Sequence, residues 1–207
     1  EDIQAVFSDE KGEEEVVLYG IDQKQLAKVS RQFRDRFRDY LLLEPDQELE
    51  TGVFELLVHN RLKVSVAESV TGGLISSRIL DQPGASAILD EAYVVYADAA
   101  KTKILDVPGQ TLKEHGAVSE NTAQAMAEGL KRISGADILI ASTGIAGPTG
   151  GSEQKPVGLV YYGFGVKDSI FVVRKLFFGT RNQIRKQASA FALAYLIDYL
   201  KKRGYTG

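Results

Sequence analysis

A three-layer α/β/α sandwich on a mixed sheet is the architecture this sequence predicts, and three observations predict it. From about Leu49 onward, short β-branched runs alternate with segments of helical apolar spacing, the pattern of strands joined by crossover helices. Two apolar runs then meet across the polar pair Lys167-Asp168, which reads as an antiparallel hairpin and makes the sheet mixed. The closing segment, from about Arg181 to Lys202, sets Ile184, Ala188, Phe191, Ala192, Tyr195, Leu196 and Tyr199 on one helical face.

The elements follow in order. Residues 1-47 are expected to form a small β-α-β appendage. EVVLYG reads as a strand, Gln23 to Phe37 as a helix with Leu26, Val29, Phe33 and Phe37 at apolar positions, and DYLLLEP as a second strand ended by Pro45. The alternating signs of RQFRDRFRDY suit a solvated, ion-paired helix face better than a nucleic-acid surface. Residues 48-207 are expected to hold the main domain. It starts with the helix ETGVFELLVHNR and the strand KVSVAES. A helix in TGGLISSRILDQPG stops at Pro83 and Gly84, and EAYVVYA is the next strand. A short helix around AAKTKILD and the turn-rich VPGQ lead to a longer helix between Ser119, a good N-cap, and Gly135, a good stop. DILIAST is a strand, GIAGPTGGSEQKP a loop, and VGLVYYGFGV and SIFVVRKLFFG form the hairpin.

Composition narrows the chemistry. Of 207 residues, 25 are basic and 28 acidic, mixed along the chain for a net charge of −3, so no global field invites nucleic acid or an anionic membrane. With no cysteine, disulfides, thiolate metal sites and cysteine nucleophiles are excluded together. His59 and His115 lie far apart without acidic or histidine partners at ligand spacing, so no protein-built metal site is expected. No apolar run approaches the ~20 residues needed to span a bilayer, and the N-terminus is acidic where a signal peptide would be basic, which predicts a cytoplasmic protein. The chain begins at Glu1 rather than methionine, which suggests a piece cut from something longer.

In open α/β sheets ligands bind beyond the carboxyl ends of strands, and three unusual stretches fall there: ESVTGG, YADAAK and TGIAGPTGG. In the first, Gly72 and Gly73 permit a tight strand-to-helix turn that Ser69 or Thr71 caps, or else Ser69 is a nucleophile with backbone N–H groups at the helix N-terminus ready for an oxyanion. Neither a P-loop nor a G-x-S-x-G elbow is present. A serine nucleophile needs a base, and Lys101 is the lysine closest to a strand end, five residues after Tyr96. Otherwise Lys101 is a surface charge. The loop from Gly144 to Gly158 is either a flexible connection or an anion nest, and Arg181 either an exposed first-turn charge or a clamp on phosphate or carboxylate. Glu68 either orients the base or Thr71, or caps local backbone.

AESVTGG, YVVYADAAK, GAVSENTAQAMAEG, TGIAGPTGGSEQKPVG and FFGTRNQIRKQA occur in the order and spacing of the CinA C-terminal domain family, and the resemblance covers about Leu49 to Lys202. It implies an anticodon-binding-domain-like α/β/α sandwich with nicotinamide-nucleotide amidase activity. The reaction would be hydrolysis of the carboxamide of nicotinamide mononucleotide to nicotinate mononucleotide and ammonia. On the same resemblance Ser69 is the nucleophile, Lys101 the general base and Tyr96 an assistant in proton transfer. Thr71, Gly72, Gly73, Thr143, Gly144, Gly147 and Arg181 hold substrate, without metal or cofactor. A homodimer acting on a small-molecule nucleotide is also implied, and residues before about Glu48 resemble the end of a connecting domain found in longer members.

The sequence departs from the family at Val70, commonly cysteine, at Ala92, commonly glycine, and at Ala97-Asp98, commonly Ser-Asn. Asp98 adds a negative charge that favours the ammonium form of Lys101. The competing expectation is a non-catalytic nucleotide-binding or partner-docking module using the same crevice. A β-lactamase-like hydrolase is disfavoured, because the lysine is not at S-x-x-K spacing.

Overall fold

Strand β3 (Val64–Glu68) is buried at all five positions, as only a central strand covered on both faces can be. It pairs in parallel with β4 (Leu89–Val94) on one side and with β5 (Ile138–Gly144) on the other. The hairpin β6 (Leu159–Val166) and β7 (Ser169–Leu176) then extends the sheet antiparallel from β5. The order is β4-β3-β5-β6-β7, a mixed five-stranded sheet as expected. The computed structural model describes residues 4–8, 15–19, 22–37 and 47–207.

Strand alternation sorts the core into two layers. Val64 and Val66, Ile138 and Ile140, and Val160, Tyr162 and Phe164 pack on one face against α2 (Leu49–His59), α3 (Leu74–Leu80) and α7 (Arg181–Lys201). Ala67, Leu139 and Ala141 face the other way, under α4 (Asp98–Leu105) and α6 (Glu120–Ser134). The result is the expected α/β/α sandwich. Glu50 of α2 and Arg78 of α3 add a buried ion pair between two helices of the first layer.

Helix α7 is placed by rings. Phe191, Tyr195 and Tyr199 recur every fourth residue and so share one face, and each meets an aromatic side chain of the hairpin. The centroid separations are 5.2 Å to Tyr162, 4.9 Å to Phe164 and 4.5 Å to Phe171 respectively. Phe164 and Phe171 are themselves cross-strand partners. The fully buried Tyr162 also donates its hydroxyl to the Ala188 carbonyl at 2.8 Å. On the opposite face α6 lies directly on β6 because Gly163 has no side chain. A β-carbon there would collide with the carbonyl of Ala123 and come 2.8 Å from the Ala127 methyl.

Local signals set the helix ends. Ser119 caps α6 by accepting from the Thr122 N–H, and Gly135 ends it at φ 65°. Thr180 and Gln183 form a capping box at the start of α7. Three expectations need correction. The turn-rich VPGQ runs into a helix, α5 (Gly109–His115), that begins at its glycine, and none of the helix's residues is buried, so no apolar stripe announced it. Strand β4 ends at Val94 rather than Ala97, because α4 begins at Asp98 and the chain needs the intervening residues to turn. In the N-terminal segment, β2 (Glu15–Tyr19) and α1 (Gln23–Phe37) stand as expected, but β2 pairs antiparallel with an earlier strand, β1 (Gln4–Ser8). The strand expected in DYLLLEP lies outside the described residues.

Gly163→Ala should therefore cost about 1–3 kcal/mol in urea denaturation, from forced separation of α6 and β6. Gly109→Ala, whose β-carbon would meet nothing within 4 Å, should stay within about 0.5 kcal/mol of wild type.

Candidate active site

The turn from β3 to α3 is fastened from inside by Glu68, whose side chain is fully buried. One carboxylate oxygen accepts from the N–H of Gly73 at 2.9 Å and of Ile75 at 3.1 Å. The other accepts from the N–H of Ser76 at 2.8 Å and its hydroxyl at 2.6 Å. To bring these donors round onto the preceding strand, the chain runs through left-handed backbone at Gly72 (φ 61°) and Gly73 (φ 94°). Consecutive residues in that region favour glycine, which accounts for the Gly-Gly pair. Of the alternatives open for Glu68, the structure selects backbone capping. It also removes the N–H groups of Gly73, Ile75 and Ser76 from any oxyanion role, since they already donate to Glu68.

Ser69 follows directly, nearly buried at 7% exposure, and its N–H donates to the Ser142 carbonyl of β5 at 2.9 Å. The hydroxyls of Thr71 and Ser142 share a hydrogen bond of 2.9 Å. From outside, Arg185 of α7 donates to the Thr71 carbonyl at 2.8 Å. Its guanidinium lies close enough that a β-carbon on Gly72 would approach it to 3.2 Å.

The end of β4 stands beside this turn, because the Val95 N–H donates to the Glu68 carbonyl at 2.8 Å. Lys101 of α4 is buried, with its side chain 1% exposed, and its ammonium donates to the Tyr96 carbonyl at 2.9 Å and to Asp98 at 3.5 Å. Burial lowers the lysine pKa, because little water remains to solvate the charge. The Asp98 carboxylate opposes that shift, as its position in the sequence suggested, but it is largely exposed and burial prevails. Among the described residues no hydrogen bond joins Lys101 to Ser69.

Tyr96, just past the end of β4, is 64% exposed. Arg181, the first residue of α7, reaches the Tyr96 hydroxyl at 3.5 Å with one nitrogen and the Gly147 carbonyl at 2.8 Å with another. The glycine loop is thereby tied to α7, and Lys155 ties its far side to the His115 carbonyl at 2.6 Å. Thr143 is buried and donates to the Ala117 carbonyl at 2.6 Å. Gly144 pairs with Val160, and a β-carbon there would stand 2.7 Å from the Leu159 carbonyl, so packing accounts for that glycine. At Gly147 a β-carbon would press on Val157 at 2.5 Å. Among the described residues no three His, Cys, Asp or Glu side chains cluster as metal ligands.

The structure thus gathers Ser69, Thr71, Gly72 and Gly73 into one turn and links Lys101, Tyr96, Arg181 and Gly147 in a connected chain beside it. Arg185 and Ser142 were not foreseen. The signal for Arg185 was its position four residues after Arg181 on one helix face.

Comparison with known proteins places the fold and the family. The family model described as CinA C-terminal domain matches residues 46–200. A putative competence-damage inducible protein of Caldicellulosiruptor bescii is 47% identical over 178 residues, covering 84% of this chain and 43% of its own length. A CinA-like protein of Petrotoga mobilis is 40% identical over 178 residues, covering 86% and 43%. The chain therefore spans less than half the length of these curated relatives. Among solved structures, a competence-damaged protein (CinA) superfamily protein from Klebsiella pneumoniae superposes with a TM-score of 0.72 at 36% identity. The match covers 74% of this chain and 96% of that one. A competence/damage inducible protein from Agrobacterium tumefaciens gives a TM-score of 0.67 at 38% identity, covering 75% and 96%. By the extent of the model match and the identity to these relatives, the chain belongs to the CinA C-terminal domain family.

Proposed function

We propose that the chain is a serine amidase that hydrolyses the carboxamide of nicotinamide mononucleotide to nicotinate mononucleotide and ammonia. The observation that carries this reading is Lys101. It is a buried lysine whose pKa is lowered by desolvation, anchored at the end of the strand next to the Ser69 turn. A lysine in water is protonated near neutral pH and cannot accept a proton, whereas a desolvated amine can serve as a base.

In this mechanism the Ser69 oxygen attacks the amide carbon while its proton passes to Lys101. The lysine then delivers that proton to the departing nitrogen, which leaves as ammonia. Water, deprotonated by the same amine, cleaves the acyl-enzyme and restores the serine. Arg181 supplies a cation for the substrate phosphate, and Tyr96 presents an exposed ring and a hydroxyl. The family resemblance further suggests a homodimer with no cofactor. For the first step the Lys101 amine has to leave the Tyr96 carbonyl and turn to Ser69. Such contacts often tighten only when substrate is bound.

The competing reading, a nucleotide-binding module without turnover, is favoured by one observation: the Lys101 ammonium is taken up by Tyr96 and Asp98. Ammonia release from nicotinamide mononucleotide separates the two. Wild type should release ammonia, and Ser69→Ala should lose at least about a thousandfold in rate while remaining folded. Nucleotide binding by a wild type that releases none would establish the module instead.

The pH profile tests the base. Activity should rise with pH as Lys101 loses its proton, with a midpoint below the ordinary lysine value because burial disfavours the ammonium. Asp98 stabilises the ammonium, so Asp98→Asn should move that midpoint to lower pH. A midpoint that stays put or rises in the variant contradicts Lys101 as the titrating base.

A further inference from the structure

We infer that Glu68 is the positioning residue of Ser69, holding the nucleophile's turn by gathering the first N–H groups of α3 onto its carboxylate. This deepens the amidase reading and rests on it for its catalytic consequence.

Three observations carry the inference. Glu68 is the immediate neighbour of Ser69 and has no exposed surface, so its carboxylate cannot be satisfied by water. All four of its hydrogen bonds come from one short stretch, Gly73 to Ser76, and both oxygens act purely as acceptors. The stretch between Glu68 and those donors is the Ser69 turn itself. Its entry is pinned by the Ser69 N–H on Ser142, and its middle by Arg185 on the Thr71 carbonyl. With the donors of Gly73, Ile75 and Ser76 consumed, the N–H groups of Val70, Thr71 and Gly72 have no partner among the described residues. They are the backbone donors that the turn leaves for an oxyanion formed at Ser69.

A glutamine at this position keeps the volume but sets an N–H₂ group against N–H and O–H donors, so one side of the grip is lost. The milder Ser76→Ala removes the hydroxyl, with its bond to Glu68 at 2.6 Å and its contact to the Gly73 carbonyl at 3.2 Å, and leaves the backbone N–H bonds to Glu68 in place. It carries the test if Glu68→Gln does not fold. Two readouts apply to each variant. Hydrogen exchange over residues 69–76 reports the order of the turn whether or not the protein is an enzyme. Labelling by an alkyl fluorophosphonate, which joins the Ser69 oxygen to phosphorus and expels fluoride as the hydroxyl proton is lost, reports the readiness of the nucleophile. It is followed by intact mass beside kcat and KM for ammonia release.

The expected result is faster exchange confined to the turn and slower labelling. The kcat should fall about ten- to a hundredfold, the scale of a small misplacement, with KM within about twofold of wild type. Folded variants that exchange and label at wild-type rates overturn the inference. A wild type that neither labels at Ser69 nor releases ammonia, while the variants still loosen the turn, sinks the amidase reading and leaves Glu68 as the residue that orders Ser69.

Discussion

A carboxylate with no access to water has to find its donors within the protein, and Glu68 finds four of them in the residues that follow it. Much of the site follows from that requirement. The chain has to fold back on itself within a few residues, which demands left-handed backbone at Gly72 and Gly73 and fixes where α3 begins. The helix that emerges is seven residues long, and the N–H groups of Gly73, Ile75 and Ser76 at its start are already engaged before any ligand arrives. What remains unsatisfied is the turn preceding it, where Ser69 sits.

The second requirement is a partner for the outer face of that turn, and α7 provides it. The helix is held to the hairpin by the pairing of Phe191, Tyr195 and Tyr199 with three strand aromatics, a contact of large area that has nothing to do with chemistry. Its N-terminal end, however, carries Arg181 and Arg185 to the site, one to the glycine loop and Tyr96, the other to Thr71. Packing at one end of the helix thus positions charge at the other. Lys101 belongs to the opposite layer, on α4, so the candidate base and the two guanidinium groups approach the Ser69 turn from different faces of the sheet.

Much of this architecture was legible because burial leaves a period in the sequence. The β-branched strands, the two apolar runs split by Lys167-Asp168 and the apolar residues of α7 at helical spacing each carry the pattern their geometry requires. Where full burial is absent the signal vanishes, as in α5, from which only the partly buried Leu112 packs against the core. At the site, Ser69 was legible from the glycines after it. Glu68 was ambiguous because a sequence does not say which way a carboxylate turns. Arg185 was signalled only by its place four residues after Arg181, because its partner is a backbone carbonyl 114 residues away and a carbonyl has no letter of its own. Lys101 shows the same limit in electrostatic form. Asp98 is visible three residues before it and predicts a raised pKa, whereas the burial that reverses the sign is a property of the fold.

The two arginines of α7 also constrain how this segment can change. They stand four residues apart on a continuous helix, about 6 Å along its axis and on nearly the same side. One guanidinium grips the loop after β5 and the other the loop after β3, so the helix acts as a ruler between two loops distant in sequence. Of the positions between them only the exposed Asn182 is free to vary, since Gln183 closes the capping box and Ile184 is buried in the core. A change of length is different in kind. One residue added or removed there swings one arginine about 100° from its carbonyl, whatever residue is involved. A substitution in this turn of helix is felt at the one position it changes, whereas a shift of register is felt at both loops.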